Sequence, residues 1–486
     1  MVESMMARGI ALLSGAALAL AYPEPSWWWL AFVALVPALV VVTRAARPRE
    51  AGLRAWLAGA GFFIAIAHWL IPKTGPGLVV IAALLAVTWI PWGLVAWSFL
   101  SRPQSPRAAA LSVLAVPAAF VAGEFVRSWE YLGGPWGLLG ASQWNGPSLP
   151  IAALGGVWAV SFVVLAVNIG IAAALSPGRV RVRIPAGGVA AVLVAGAVGY
   201  GATTSDLPIE GRVEIVGVQP GVIQSPSERF EAGLRLTAGP AGEPLDLVVW
   251  GESSVAEAPY SDARFSGRVS DAARDVGAPI LVNVDARRGQ AGIYKSSLLV
   301  TAEGPATLYS KVRLVPFGEY IPFRKVLGWL AIISDAAAED RRRGDRLVVM
   351  DVSGFRFGTI VCFESAFPDL TRTLAGKGAD AVIVQSATTT FQQSWAPEQH
   401  AVLAALRAVE SGRPIVHATL SGVSAAFDAQ GERLEWFGTG RTGRYRLTLP
   451  LTTGTTPFVR FGDWLPVSCL AFTLVWALLK RGRRVG

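Results

Sequence analysis

The chain has 486 residues, of which 52 % are hydrophobic and 16 % charged, well below the roughly 25 % charged fraction of soluble domains, so a wholly water-soluble enzyme is excluded. The net charge of +9 invites nucleic acid, but the basic residues gather in short loops between apolar runs, the topology signal of a membrane protein, and nucleic acid is not read as a partner. Two cysteines, Cys362 and Cys469, exclude a disulfide framework, and His68, His400 and His417 stand at no metal-ligand spacing, so neither a metal site nor a cofactor is assigned.

Apolar runs near 8–22, 27–43, 53–71, 77–100, 108–126, 150–175 and 184–202, with an eighth near 464–480, approach the roughly 20 residues that a bilayer crossing requires. The first run is not read as a cleaved signal peptide, because Pro23-Glu24-Pro25 makes a turn rather than a small-residue cleavage site. Arg44, Arg47, Arg49 and Arg54 separate the second and third runs. Arg102 and Arg107 separate the fourth and fifth, and Arg179, Arg181 and Arg183 the sixth and seventh. Lys480, Arg481, Arg483 and Arg484 follow the eighth. If all eight runs cross, every basic group falls on one side, which the positive-inside rule makes cytoplasmic. Both termini are then cytoplasmic and the segment between the last two runs is outside. The domains expected are 1–205, membrane helices; 206–455, a soluble α/β domain; and 456–486, a final span with a basic tail.

Within 124–149 lies Gly133-Gly134-Pro135-Trp136-Gly137-Leu138-Leu139-Gly140-Ala141-Ser142-Gln143-Trp144. Two readings stand for it: an interfacial turn anchored by tryptophans, or a floor that receives lipid.

Between about 208 and 455 the texture changes to charges, turns and short alternating strands. Three stretches there place an ionisable residue beside a strand-like run. Leu245–Trp250 leads to Glu252, either a solvated loop charge or a general base raised by partial desolvation. Lys311 is either a surface lysine or an ammonium that lowers a nearby thiol and stabilises an oxyanion. Glu319, eight residues on, could orient it. Phe355–Val361 leads to Cys362 and then Phe363, Glu364 and the helix-like start Phe367-Pro368-Asp369-Leu370. A cysteine at a strand-to-turn junction is either an ordinary buried thiol or a nucleophile held rigidly from behind.

The order Glu252, Lys311, Cys362 resembles the nitrilase superfamily. The match of Lys311–Pro322 (KVRLVPFGEYIP), Ala396–His400 (APEQH), Arg407–Pro414 (RAVESGRP) and the membrane loop Pro135-Trp136…Ser142-Gln143 is closer, and resembles the apolipoprotein N-acyltransferases over nearly the whole chain. The resemblance implies about eight transmembrane helices plus an α/β nitrilase-like α-β-β-α sandwich domain. It implies a catalytic Glu252–Lys311–Cys362 set supported by Glu319, Phe363 and Glu364, with no cofactor. It also implies a reaction: Cys362 takes an acyl chain from the sn-1 ester of a phospholipid as a thioester, and the α-amine of a diacylglyceryl-cysteine lipoprotein then accepts it. Partners would be a phospholipid donor, a diacylated lipoprotein and the bilayer, with the protein a monomer in the bacterial cytoplasmic membrane. The chain departs from the family in having Phe363 where tyrosine is frequent, Trp250-Gly251-Glu252 in place of Trp-Pro-Glu, and Ser386-Ala387-Thr388-Thr389-Thr390-Phe391 after the 380s strand.

Residues 323–345 join the apolar Val326–Ile333 to Asp340-Arg341-Arg342-Arg343. This segment reads either as a packed helix with a solvated charge run or as a mobile arm that dips into the outer leaflet. Two other functions compete with acyl transfer: a membrane-tethered amidase, which has no use for so many spans, and a non-enzymatic scaffold, which would be expected to lose at least one of the three site residues.

Overall fold

The computed structural model describes residues 2–101, 105–175, 180–203, 207–239, 244–255, 263–329 and 339–482. The chain divides into two compact units, Met1–Ser205 with Phe461–Gly486, and Asp206–Arg460.

The first unit is helical. Among its described residues, five helices are long and apolar enough to cross a membrane: Val2–Ala21, Gly77–Leu100, Pro106–Arg127, Val157–Leu175 and Ile184–Ala202. Pro48–Ile66 and His68–Thr74 make a sixth if their 58° bend counts as one broken span. The expected runs at 27–43 and 464–480 are the shorter apolar helices Trp28–Thr43 and Trp464–Lys480, so length and composition alone reach five or six crossings rather than eight. Small residues let the helices touch, as expected where lipid removes the hydrophobic drive for association. A Cβ on Gly15 would overlap the carbonyl oxygen of Ala58, and one on Gly61 that of Leu12.

Two polar side chains in this unit, Arg127 and Glu124, order the Gly133–Trp144 loop. Arg127, 2 % exposed at the end of its helix, donates from Nη1 to Trp136 O at 2.6 Å and from Nη2 to Gly137 O at 3.3 Å. Glu124 Oε1 accepts from Leu139 N at 2.6 Å. These charges capture backbone groups that a turn inside an apolar unit would otherwise leave unpaired.

The second unit contains two six-stranded sheets. The first has the order β12-β1-β2-β3-β4-β5, with β1 Ile209–Gln219, β2 Leu247–Trp250, β3 Ile280–Arg287, β4 Ile293–Thr301, β5 Gly304–Ser310 and β12 Gly443–Thr452. The second has the order β11-β10-β9-β8-β7-β6, with β6 Val349–Val352, β7 Phe355–Val361, β8 Ala381–Ser386, β9 Ile415–Thr419, β10 Ser424–Phe427 and β11 Arg433–Phe437. Strand alternation builds two cores from one strand. Val213 and Ile215 of β1 enter the core between the sheets, with Val249, Tyr309, Phe357, Ile383 and Val416. Val216 and Val218 face the other way, into a core that takes Phe230, Leu234, Phe265 and Val276 from the helices Pro226–Thr237 and Ala263–Val276. Helices Pro368–Gly376 and Leu403–Ser411 pack on the second sheet. The layers are α-β-β-α.

The parallel pairs β1–β2, β2–β3, β7–β8 and β8–β9 bring the carboxyl ends of several strands to one edge. Polar side chains tie the two sheets together near it. Gln385 Nε2 donates to Trp250 O at 2.7 Å and to Leu281 O at 3.1 Å, and Thr359 Oγ1 to Ser297 Oγ at 3.3 Å. Buried amides are kept where every donor finds a carbonyl, and they fix the register of the sandwich.

Candidate active site

Glu252 follows the end of β2 by two residues, Lys311 follows β5 directly and Cys362 follows β7 directly. Their side chains converge. The Glu252 carboxylate and the Lys311 ammonium both act electrostatically on the Cys362 thiol, and Lys311 Nζ lies 3.7 Å from Glu252 Oε1. Lys311 is fully buried and Glu252 nearly so, whereas Cys362 is partly accessible.

The glycine before Glu252 has a steric reason. A Cβ on Gly251 would overlap the backbone of Thr419 and Leu420, where Glu252 N and Leu420 N both donate to Ser386 O, at 3.0 and 2.9 Å. The two sheets meet backbone to backbone at this point, and glycine is the residue that permits it.

Cys362 adopts φ = +52°, a left-handed conformation that non-glycine residues rarely hold. Strain of this kind costs on the order of 1–3 kcal/mol and persists only where the surroundings over-determine it. Two buried groups do so. Glu364, fully buried, accepts from Val361 N at 2.7 Å, Val312 N at 2.7 Å, Arg313 N at 2.9 Å and Tyr309 Oη at 2.8 Å. One carboxylate thus ties the turn that carries Cys362 to the backbone that carries Lys311. Burial raises its pKa, while Lys311 and the hydrogen bonds it accepts oppose the rise.

The second group is His400, whose Nε2 lies 3.0 Å from Cys362 O and 3.1 Å from Ser365 Oγ, with Nδ1 3.2 Å from Ser386 Oγ. A carbonyl oxygen only accepts, so Nε2 carries the proton and Nδ1 accepts from Ser386. Burial pushes this imidazole down to about 4. His417 packs edge-on against it, with ring centroids 4.8 Å apart.

Glu319 supports Lys311 directly. Oε1 accepts from Lys311 Nζ at 2.9 Å and Oε2 accepts from Val315 N at 2.8 Å. Phe363 packs edge-on against Phe367 at 5.2 Å, and Arg313 lies 4.4 Å over the Phe367 ring.

The electrostatics differ from the sequence expectation in two respects. Partial desolvation was expected to raise the Glu252 carboxylate. Burial does act in that direction, but Lys295 and Lys311, with hydrogen bonds from Lys295 and Cys362, outweigh it and hold the group at about 2. Lys311 does pull the thiol down, as one reading of it implies, but it does not prevail. Instead burial, joined by the charge of Glu252, pushes Cys362 up to about 12 against the pull of Lys311 and Lys295. Both directions favour a neutral thiol beside an ionised carboxylate.

Lys295 was missed in the sequence. In Ile293-Tyr294-Lys295-Ser296 it reads as a solvent-facing strand residue, and nothing local distinguishes it. Its Nζ lies 2.7 Å from Glu252 Oε1. Asp285, Arg341 and His400 were likewise not singled out as site residues.

The segment after Glu319 is anchored at its far end. Arg324 pairs with Asp340 through Nε–Oδ2 at 2.8 Å. Arg341 N donates to Glu319 O, Arg342 N to Ile293 O and Gly344 N to Lys311 O, each at 2.8 Å. The backbone of Asp340–Arg343 is thus stitched to the site, while Arg342 stays exposed. Phe323, Val326 and Trp329 are exposed, at 72, 74 and 62 %. Residues 330–338, the middle of the arm expected at 323–345, lie outside the described residues.

Residues 14–170 match the family model for the apolipoprotein N-acyltransferase N-terminal domain, and 212–443 match that for carbon-nitrogen hydrolase. The chain is 32 % identical to an apolipoprotein N-acyltransferase of Azotobacter vinelandii, over 97 % of this chain and 95 % of that one. It is 29 % identical to one of Pseudomonas paraeruginosa, over 98 and 96 %. Among solved structures it is similar to a nitrilase-superfamily amidase of Nesterenkonia. That match covers 52 % of this chain and 95 % of that one at 18 % identity, with a TM-score of 0.38.

Proposed function

The chain belongs to the apolipoprotein N-acyltransferase family, and from that premise we propose that it carries the acyl chain of a phospholipid on Cys362 as a thioester and passes it to the α-amine of a diacylglyceryl-cysteine lipoprotein. The observation that carries the reading is the convergence of the partly accessible Cys362 with the buried carboxylate of Glu252 and the buried ammonium of Lys311, 3.7 Å from each other.

In the first half-reaction the thiol proton passes to Glu252 as sulfur attacks the ester carbonyl. Burial and the charge of Glu252 hold the thiol above its ordinary value, which disfavours a free thiolate, so proton loss accompanies carbon–sulfur bond formation. Lys311 and a backbone N–H beside Cys362 stabilise the oxyanion. Collapse breaks the carbon–oxygen bond, and protonated Glu252, a strong acid in this setting, returns its proton to the departing lysophospholipid. In the second half-reaction the amine attacks the thioester, its proton goes to Glu252 and then to the released sulfur, and an amide is formed. One nucleophile serves both halves, so ping-pong kinetics follow.

With the shorter apolar helices Trp28–Thr43 and Trp464–Lys480 also crossing, the basic loops between the apolar runs support a catalytic unit outside the cytoplasmic membrane with both termini inside. Exposed Phe323, Val326 and Trp329 support an arm that enters the outer leaflet beside the site.

The test is intact-mass and peptide mass spectrometry of the full-length protein after incubation with phospholipid vesicles. A fatty-acyl adduct on Cys362 is expected, absent in Cys362→Ala and discharged by a diacylglyceryl-cysteine peptide. Turnover of water-soluble amides with no adduct would instead favour the amidase.

A further inference from the structure

Lys295 stands on β4 directly across from Asp285 of β3, and its carbonyl oxygen accepts from Lys311 N at 2.9 Å. Strand pairing therefore sets the two lysines side by side. Lys295 Nζ donates to Glu252 Oε1 at 2.7 Å and to Ser253 Oγ at 3.3 Å, and lies 3.5 Å from Glu319 Oε1 and 3.8 Å from Asp285 Oδ2. Asp285 is met in turn by Arg341 at 3.3 Å. Glu252 and Glu319 are thus matched by Lys295 and Lys311. Without Lys295, two buried carboxylates would share one ammonium.

We propose that Lys295 is a positioning residue for the acyl-transfer reaction, which grips Glu252 by one oxygen and keeps it ionised while Cys362 presents its proton. This deepens the acyl-transfer reading and rests on it for its place in the reaction. Lys295 and Lys311 both approach the same carboxylate oxygen, Oε1. Lys295 makes the shorter contact and so sets the rotation of the carboxylate. The groups that bear on Glu252 are Lys295 from β4, Lys311 from the end of β5, Cys362 from the end of β7 and the neutral imidazole of His400. Glu319 and Asp285 act through Lys295, and Arg341 through Asp285. Of the two cations, Lys311 makes its shortest contact to Glu319, at 2.9 Å, and Lys295 makes its shortest to Glu252, at 2.7 Å.

The test is the rate at which iodoacetamide alkylates Cys362 in the full-length protein in detergent between pH 4 and 8, read on the Cys362 peptide. No lipid or lipoprotein is present, so a failure of the acyl-transfer reading leaves this measurement intact, and the converse also holds. Removing a nearby cation raises a carboxylate pKa, so protonation should silence Glu252 at higher pH. The wild type should stay flat, while Lys295→Met should lose about tenfold between pH 7 and pH 4. Lys295→Arg should restore the flat profile, and Lys295→Gln, which retains a hydrogen-bond donor, should follow Lys295→Met. In a Glu252→Gln background Lys295→Met should add nothing. A flat profile for both neutral variants, or an equal loss in the Glu252→Gln background, overturns the proposal.

Discussion

The imidazole of His400 donates from Nε2 to the carbonyl oxygen of Cys362 across 3.0 Å, from helix Ala396–Ala401 to the strand-to-turn junction where φ is +52°. The bond holds the nucleophile's own backbone, so it bears on both stability and reactivity. His400→Phe should leave that partly buried carbonyl without this donor and cost about 1–2 kcal/mol, read as a lower Tm together with slower Cys362 alkylation. The same residue predicts what the pH profile should lack. Its imidazole is pushed down to about 4 by burial, so it protonates only below that value. Acyl-enzyme formation should therefore show no histidine limb between pH 5 and 8, and a rate that follows a group near 6.5 would count against this assignment.

Glu364 and Glu252 should separate cleanly by mutation. Glu364→Gln places an amide N–H₂ among donors from Val361, Val312, Arg313 and Tyr309, so donor meets donor in a buried place. We expect a loss of about 2–3 kcal/mol or more in thermal or denaturant unfolding. Tyr309→Phe should cost about 1 kcal/mol. Glu252→Gln should keep the fold and abolish the acyl-enzyme. Equal unfolding midpoints for wild type and Glu364→Gln would contradict the clamp.

Gly251→Ala forces a methyl group onto the backbone of Leu420. Overpacking a site that cannot yield costs about 1–3 kcal/mol, and the sheets would have to part near Ser386. Slower acyl-enzyme formation should accompany the lower stability, because Glu252 is the next residue.

Val326→Ser with Trp329→Ser removes two of the exposed apolar side chains beside the site. Turnover of phospholipid in vesicles should fall several-fold, while Tm and Cys362 alkylation in detergent stay unchanged. Unaltered vesicle turnover would remove the arm from the mechanism.

Much of the architecture was legible because its signals are local. Apolar runs of span length, turns of glycine and proline, and alternating strands each declare themselves within about twenty residues. The two shorter apolar helices, Trp28–Thr43 and Trp464–Lys480, and the bend after Ile66 show the limit of that reading, since an apolar run sets hydropathy and not the straightness of a helix. Glu252, Lys311 and Cys362 stood out because each follows a strand-like run and because their order resembles a known family. The clamp by Glu364 carried no chemical signature of its own, since four donors from two separate segments meet it only in the folded chain.

The sequence by itself determined the division into an apolar helical part and an α/β part, the strand ends on which the site residues sit, and the basic loops from which orientation is read. Only the tertiary structure decided the charge state of that site. Whether a carboxylate is raised by burial or held at about 2, and whether a thiol beside an ammonium falls or climbs to about 12, depends on distances of a few ångströms between β2, β4, β5 and β7. Lys295 enters only there: Coulombic interaction in a water-poor site falls with separation in space, and a lysine 43 residues from Glu252 in the chain lies 2.7 Å from it in the fold.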